Sequence, residues 1–203
     1  MHGTADRIIC TGGLQRSKGK TCGSLVPAKL RGMHQIRPAT PADVPTILRF
    51  IRELAEYERE PDAVIATEAD LLRDGFSITP DGTSLPTPAR FRCLIADWVQ
   101  AGMTQPAGFA LFFTSYSTWV GHHGIRLEDL YVTPALRSKG IGKALLAALA
   151  RIAIAEGCQR LEWDVLEWNE PAIAVYRRIG ARMMTEWRIM RVSGEALQQL
   201  AGR

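Results

Sequence analysis

Leu127–Leu149 reads LEDLYVTPALRSKGIGKALLAAL, and it decides the fold class. An apolar strand pattern meets Thr133-Pro134, passes through a basic loop with two glycines, and enters a run of alanine and leucine at helical spacing. A strand handing over to a helix through such a loop belongs to an α/β layer and suits an anion. The free amides of a first helical turn point outward, the helix dipole adds positive charge there, and glycine lets an anion come close. A Walker A loop is excluded, because Arg137 stands where its first glycine belongs and Ala144 replaces the magnesium-binding hydroxyl. A dinucleotide fingerprint is excluded because Leu145 occupies its third glycine position. What remains is Arg137-x-x-Gly140-x-Gly142, with Arg137 and Lys139 as charge for a pyrophosphate. Taken alone, the loop reads equally as a glycine-relieved turn with solvated basic side chains.

The pattern around this stretch is regular from His34 onward. A short strand ends at Pro38, and a helix capped by Thr40 or Asp43 runs to about Tyr57 with Val44, Ile47, Leu48, Ile51 and Leu54 on one face. Thr67-x-x-Asp70 starts a second helix that stops at Gly75. Four breakers (Pro80, Gly82, Pro86 and Pro88) make 77–90 a loop. Three strands follow at 91–99, 107–117 and 125–132, arranged as an antiparallel meander. After the glycine-loop helix, which ends at Gly157, come a strand at 160–168, a short helix at 169–180, a last strand at 185–193 and a terminal helix at 194–201. The expected architecture is a mixed α/β layer, a largely antiparallel sheet flanked by helices. It forms one domain over 33–203, preceded by a basic leader at 1–32 that lacks a hydrophobic period.

The totals restrict function. The chain carries a net charge of +4, yet residues 1–32 alone hold +5 and the remainder −1, so a basic groove for nucleic acid is not indicated. No apolar run reaches the roughly 18 to 20 residues that span a bilayer. The leader lacks a secretory apolar core; a transit segment and translation from an upstream start are both open, with Met33 directly before the regular pattern. Cys10, Cys22, Cys93 and Cys158 form no CxxC pair and have no His at metal spacing. That favours a reducing compartment, here the cytoplasm, and no metal site.

Arg-x-x-Gly-x-Gly after LEDLYV resembles the acetyl-CoA signature of the GNAT acyltransferases. Asn169-x-x-Ala172-x-x-x-Tyr176-x-x-x-Gly180 resembles the same family's downstream motif, and IRPATPADVPTILRFIRELAEYE with TEADLLRDGF is similar to its polyamine (spermidine/spermine) and thialysine branch. The likeness covers about residues 35–192. It implies the GNAT fold, with central strands splayed beside LEDLYV, and an acetyl-CoA-dependent N-acetyltransferase acting by direct attack in a ternary complex on a small cationic amine, as a homodimer. It implies that the Leu130-Tyr131-Val132 backbone holds the pantetheine and thioester. The loop Ser138, Lys139, Gly140, Ile141, Gly142 and Lys143, together with Arg137, takes the pyrophosphate. Asn169 caps the helix carrying Tyr176, with Pro171 in its first turn. Tyr176 is the implied proton donor to the departing thiolate, against the plain alternative of core packing.

Glu128 is the candidate base for the ammonium, against a merely electrostatic role or pairing with Arg126. Tyr57 and Glu58 match a stretch that lines the family's amine site. Glu162, Asp164, Glu186 and Trp187 sit on expected strands near the opening, where carboxylates attract and aromatic faces hold ammonium groups; each acid taken singly also reads as a solvated charge. Lys143 and the Glu162-Trp163-Asp164 strand depart from the polyamine enzymes and leave the amine open. The rival readings are a protein or peptide N-acetyltransferase and a non-catalytic acyl-CoA-binding regulatory module on the same fold.

Overall fold

The computed structural model describes residues 32–202; the leader expected at 1–32 therefore lies, apart from Gly32, outside the described residues. Five strands form one sheet in sequence order: β1 (Met33–Pro38), β2 (Arg92–Gln100), β3 (Met103–Ser117), β4 (His122–Val132) and β5 (Leu161–Glu162). The first three pairings are antiparallel, and β4 with β5 is parallel. Helices α1 (Val44–Tyr57) and α2 (Glu68–Phe76) lie between β1 and β2 in the chain. Helix α3 (Ile141–Ala155) connects β4 to β5, and α4 (Glu170–Arg178) and α5 (Gly194–Leu200) follow.

Local signals explain most boundaries. The Asp43 carboxylate accepts from Thr40 N at 2.8 Å and from both Arg37 Nη atoms at 2.8 Å, tying β1 to the turn that enters α1. Arg37 Nε also donates to the buried Asp97 on β2 at 2.7 Å. Thr67 and Asp70 cap α2 reciprocally, as their spacing predicts. The β2–β3 hairpin turns through Ala101 and Gly102, whose φ values of 52° and 81° fit the tight mirror-image turn. The turn thus sits at 101–102, with β3 beginning at Met103 and running through Pro106. That proline is tolerated because the ladder slips there: Ala96 faces Gly108 while Asp97 faces Pro106.

The sheet separates two apolar clusters. On one face Val44, Ile47, Leu48 and Phe50 of α1 pack against Cys93, Ile95, Phe109, Leu111 and Tyr131; on the other, Ile141, Leu145, Leu146 and Leu149 of α3 pack against Leu94, Ala96, Ala110, Phe112 and Leu127. Each helix projects its residues at i, i+3, i+4 spacing into one face. Phe50 of α1 touches both Phe109 of β3 and Tyr131 of β4, with ring centroids 5.7 Å apart at each contact, so α1 is held over both strands.

Two strand expectations are corrected. Residues 160–168 give only the two-residue β5, and 185–193 form no strand. In both, alternating aromatic and apolar residues mimic a strand, but a strand needs a ladder partner, and none of the described strands lies alongside 185–193. Trp187, Ile189, Met190 and Val192 are consequently exposed. Cys93 is buried and Cys158 half-buried, both as free thiols; Cys10 and Cys22 lie outside the described residues. Among the described residues no helix is long and apolar enough to cross a membrane.

Candidate active site

β5 pairs with β4 only at Ile125–Leu161 and Arg126–Glu162. Beyond Arg126, the strand LEDLYV has β3 on one side and no described strand on the other. Its backbone there is available to a ligand that lies along it, and α3 begins a few residues further on.

A bulge sits in the middle of this strand. Leu111 faces Asp129 and Phe112 faces Leu127, so Glu128 is the extra residue. The result is visible in the packing. Leu127 and Leu130 join the α3-side cluster, Tyr131 joins the α1-side cluster, and the side chain at 129 turns to the α1 side. Glu128 is exposed and Asp129 half-buried. Desolvation first, and then the charges of Glu128 and Glu58, push the Asp129 carboxyl up to about 6. Loss of water also raises Glu58, at the end of α1. Asp129 thus joins a three-carboxylate group that includes two residues expected at the amine site.

The raised value has a consequence for stability. An ionised Asp129 is disfavoured in the fold, so its penalty is full above pH 6 and vanishes below its unfolded value near 3.8. Asp129→Asn is expected to stabilise the protein at pH 7.5 by about 2 kcal/mol, with the advantage closing as pH falls toward 4. Thermal melts of both proteins at the two pH values check this.

The glycine loop ahead of α3 turns through left-handed backbone. Gly140 precedes α3 at φ 81°, with open space where a Cβ would stand; Ser138 is also left-handed, at φ 61°. The first intrahelical bond is Ala144 N to Gly140 O, at 2.9 Å. The amides of Ile141, Gly142 and Lys143 therefore have no acceptor within the helix and suit a diphosphate. The loop's cations rest on aromatic rings. Arg137 lies 4.7 Å from the Tyr57 centroid and 5.8 Å from that of Tyr131, and its Nε donates to Val132 O at 3.1 Å. Lys139 lies 5.2 Å from the Trp98 ring, while Lys143 is exposed. An open cleft of ≈ 590 Å³ adjoins the loop, lined by Glu53, Glu56 and Tyr57 of α1 and by Tyr131, Thr133 and Arg137.

On the far side of the opening, Asn169 Oδ1 accepts from Ala172 N at 3.4 Å and caps α4, with Pro171 in the first turn. Tyr176 is half-buried, edge-on to Trp163 at 5.0 Å. Burial, and then the proximity of Tyr57, raise its pKa above the ordinary phenol value. Among the described residues its hydroxyl makes no hydrogen bond, and its ring packs against the α3-side cluster.

The remaining predicted residues are placed differently. Glu162 accepts from Ser115 Oγ at 3.3 Å and pairs with Arg160 at 3.2 Å, and Asp164 pairs with Arg126. Arg126 is thereby engaged by Asp164 rather than by Glu128. Trp187 meets Trp119 edge-on at 6.3 Å, both strongly exposed, and Glu186 is exposed beside it. The structure thus links Tyr57 to Arg137, Asn169 and Tyr176, and Glu58 and Glu128 to one another through Asp129, while Glu162 and Asp164 are paired with arginines and Trp187 with Trp119. Asp129, Glu53 and Trp168 were missed by sequence reasoning. Asp129 carries no signal, because alternation alone would put it on the face of Leu127.

Comparison with known proteins gives a consistent answer. The model of the Acetyltransferase (GNAT) family matches residues 52–181. A thialysine N-epsilon-acetyltransferase of Bos taurus is 41% identical over 175 residues, covering 83% of this chain and 97% of the bovine one. An L-ornithine N5-acetyltransferase of Arabidopsis thaliana is 32% identical, covering 86% and 90%. Among solved structures, an integron cassette protein from the mobile metagenome of V. cholerae superposes with a TM-score of 0.64 at 26% identity, covering 84% of this chain and 98% of that one. The splayed β4, the glycine-started α3 and the capped α4 all fall within the matched residues, and the chain belongs to the GNAT family of acetyl-CoA-dependent N-acetyltransferases.

Proposed function

We propose that the protein transfers an acetyl group from acetyl-CoA to a primary amine of a small cationic substrate: a diamine, a polyamine or a thialysine-like basic amino acid. The observation that carries this reading is the collection of carboxylates around the end of α1. Glu53 and Glu56 line the cleft, and Glu58, Glu128 and Asp129 interact beside it. Such a field draws in a flexible cation. The names of the bovine and Arabidopsis relatives, enzymes of thialysine and ornithine, support a substrate with a terminal amine on a short chain.

The residues divide the work. The amides at the start of α3, with Arg137, Ser138, Lys139 and Lys143 around them, hold the diphosphate, and the Leu130–Val132 backbone orients the thioester. A backbone amide there polarises the acetyl carbonyl. Glu128 accepts the ammonium proton, freeing the nitrogen lone pair; the N–C bond forms as the C–S bond breaks, Tyr176 protonates the leaving sulfur, and the second nitrogen proton restores the phenol as the neutral amide forms. Tyr57 and Glu58 flank the amine. Glu162, Asp164, Glu186 and Trp187 guide the cation toward the opening.

The protein works in the cytoplasm as a homodimer. Exposed Met184, Trp187, Ile189 and Met190 form an apolar surface of the kind that partners cover, which supports the dimer. Release of free CoA with a panel of amines and peptides tests the function: turnover of diamines, polyamines or basic amino acids is expected. Peptide-only turnover would indicate a protein acetyltransferase, and none a binding module.

A further inference from the structure

Tyr57 and Asn169, 112 positions apart, meet across the opening beside β4: the Tyr57 hydroxyl donates to Asn169 Oδ1 at 3.0 Å. That oxygen is the one that caps α4 through Ala172 N, and an amide carbonyl has lone pairs for both donors. The Tyr57 ring lies 5.6 Å from that of Trp168, the residue before the cap, and Arg137 of the coenzyme loop stacks on the same Tyr57 ring. One side chain of α1 therefore touches the anion loop and the base of the helix that bears Tyr176.

The rest of α4's support is slight. It has nine residues, of which only Ile173 is buried, and the strand ahead of it has two. A helix of this length does not hold its own geometry in water. Tyr176 lies two turns along α4 from Asn169, so a small rotation at the cap is carried to the phenol.

We propose that Tyr57 is a positioning residue for the acyl-transfer step: through Asn169 it fixes the start of α4 and hence the place of the Tyr176 hydroxyl. This rests on the reading of Tyr176 as proton donor, and it gives Tyr57 a second role besides its place beside the amine. The hydroxyl's single proton is committed to Asn169, which leaves the oxygen only as an acceptor.

Two variants isolate the bridge. Tyr57→Phe keeps the ring and its stacking. Asn169→Ser keeps a good helix cap but is too short to reach α1. Each is expected to lower kcat about tenfold, as misplacement of a catalytic group does, with KM for acetyl-CoA little changed. The double variant should be no worse than either single one, and Tyr57→Phe should have no further effect in a Tyr176→Phe background. Hydrogen exchange of the α4 amides should quicken in both single variants. An unchanged kcat, a rise in amine KM alone, or a full additional loss in the Tyr176→Phe background would overturn the proposal. Wild-type inactivity toward every amine would instead overturn the functional reading, while faster α4 exchange would still report the mechanical link.

Discussion

Tyr176→Phe is expected to lower kcat by roughly two orders of magnitude or more while leaving acetyl-CoA affinity nearly unchanged, the size of effect associated with losing a general acid. The substitution removes one oxygen. The ring keeps its edge-on contact with Trp163 and its place against the α3-side cluster, so the fold has no reason to respond. Burial raises the phenol above its ordinary pKa, which keeps it protonated throughout the neutral range. A thiolate with a pKa near ~8.5 is a weaker base than the phenolate left behind. On the proposed mechanism the proton moves as the C–S bond breaks, when charge develops on sulfur, and not ahead of it. Steady-state kinetics together with calorimetric titration of acetyl-CoA measure the two quantities separately. Turnover equal to wild type would remove Tyr176 from the mechanism.

Phe109→Ala is expected to cost about 3–5 kcal/mol of stability, the usual range for emptying an aromatic site in a packed core. Phe109 is fully buried at the centre of β3, stacked on Phe50 of α1, which in turn touches Tyr131 of β4. It stands opposite Tyr131 in the β3–β4 ladder, so the cavity would open directly beneath the strand that borders the candidate active site. A loss of that size is a large share of the ~5–15 kcal/mol typical of a domain, and should lower Tm on the order of 10 °C. Urea unfolding followed by tryptophan fluorescence gives the value. A loss below about 1 kcal/mol would mean that the α1-side cluster collapses around the gap more readily than its close contacts imply.

The α1, α2, α3 and α4 segments were legible because independent local signals agreed in them, the apolar period with a capping residue or a glycine at a helix end, although α2 runs one residue past the expected stop at Gly75 and ends at the left-handed Ser77. Thr67 with Asp70, Gly140 ahead of α3, and Asn169 with Gly180 around α4 stand where their sequence roles put them. Strand length was less legible. Residues 160–168 and 185–193 have the composition of strands, but pairing is a property of the neighbour, and β4 offers β5 only two residues.

The orientation of Asp129 was hidden for another reason. The bulge at Glu128 contains no glycine or proline to announce it, and it reverses the face of everything after it. Tyr57 was expected at the amine site through its motif, whereas its bond to Asn169 depends on the closure of two distant segments against one opening.

The most direct test is a crystal structure of the protein with acetyl-CoA. The account predicts the diphosphate against the amides of Ile141, Gly142 and Lys143, the thioester along Leu130–Val132, and the Tyr176 oxygen within hydrogen-bond reach of the sulfur. A coenzyme bound elsewhere, or a phenol turned away from the sulfur, would contradict it.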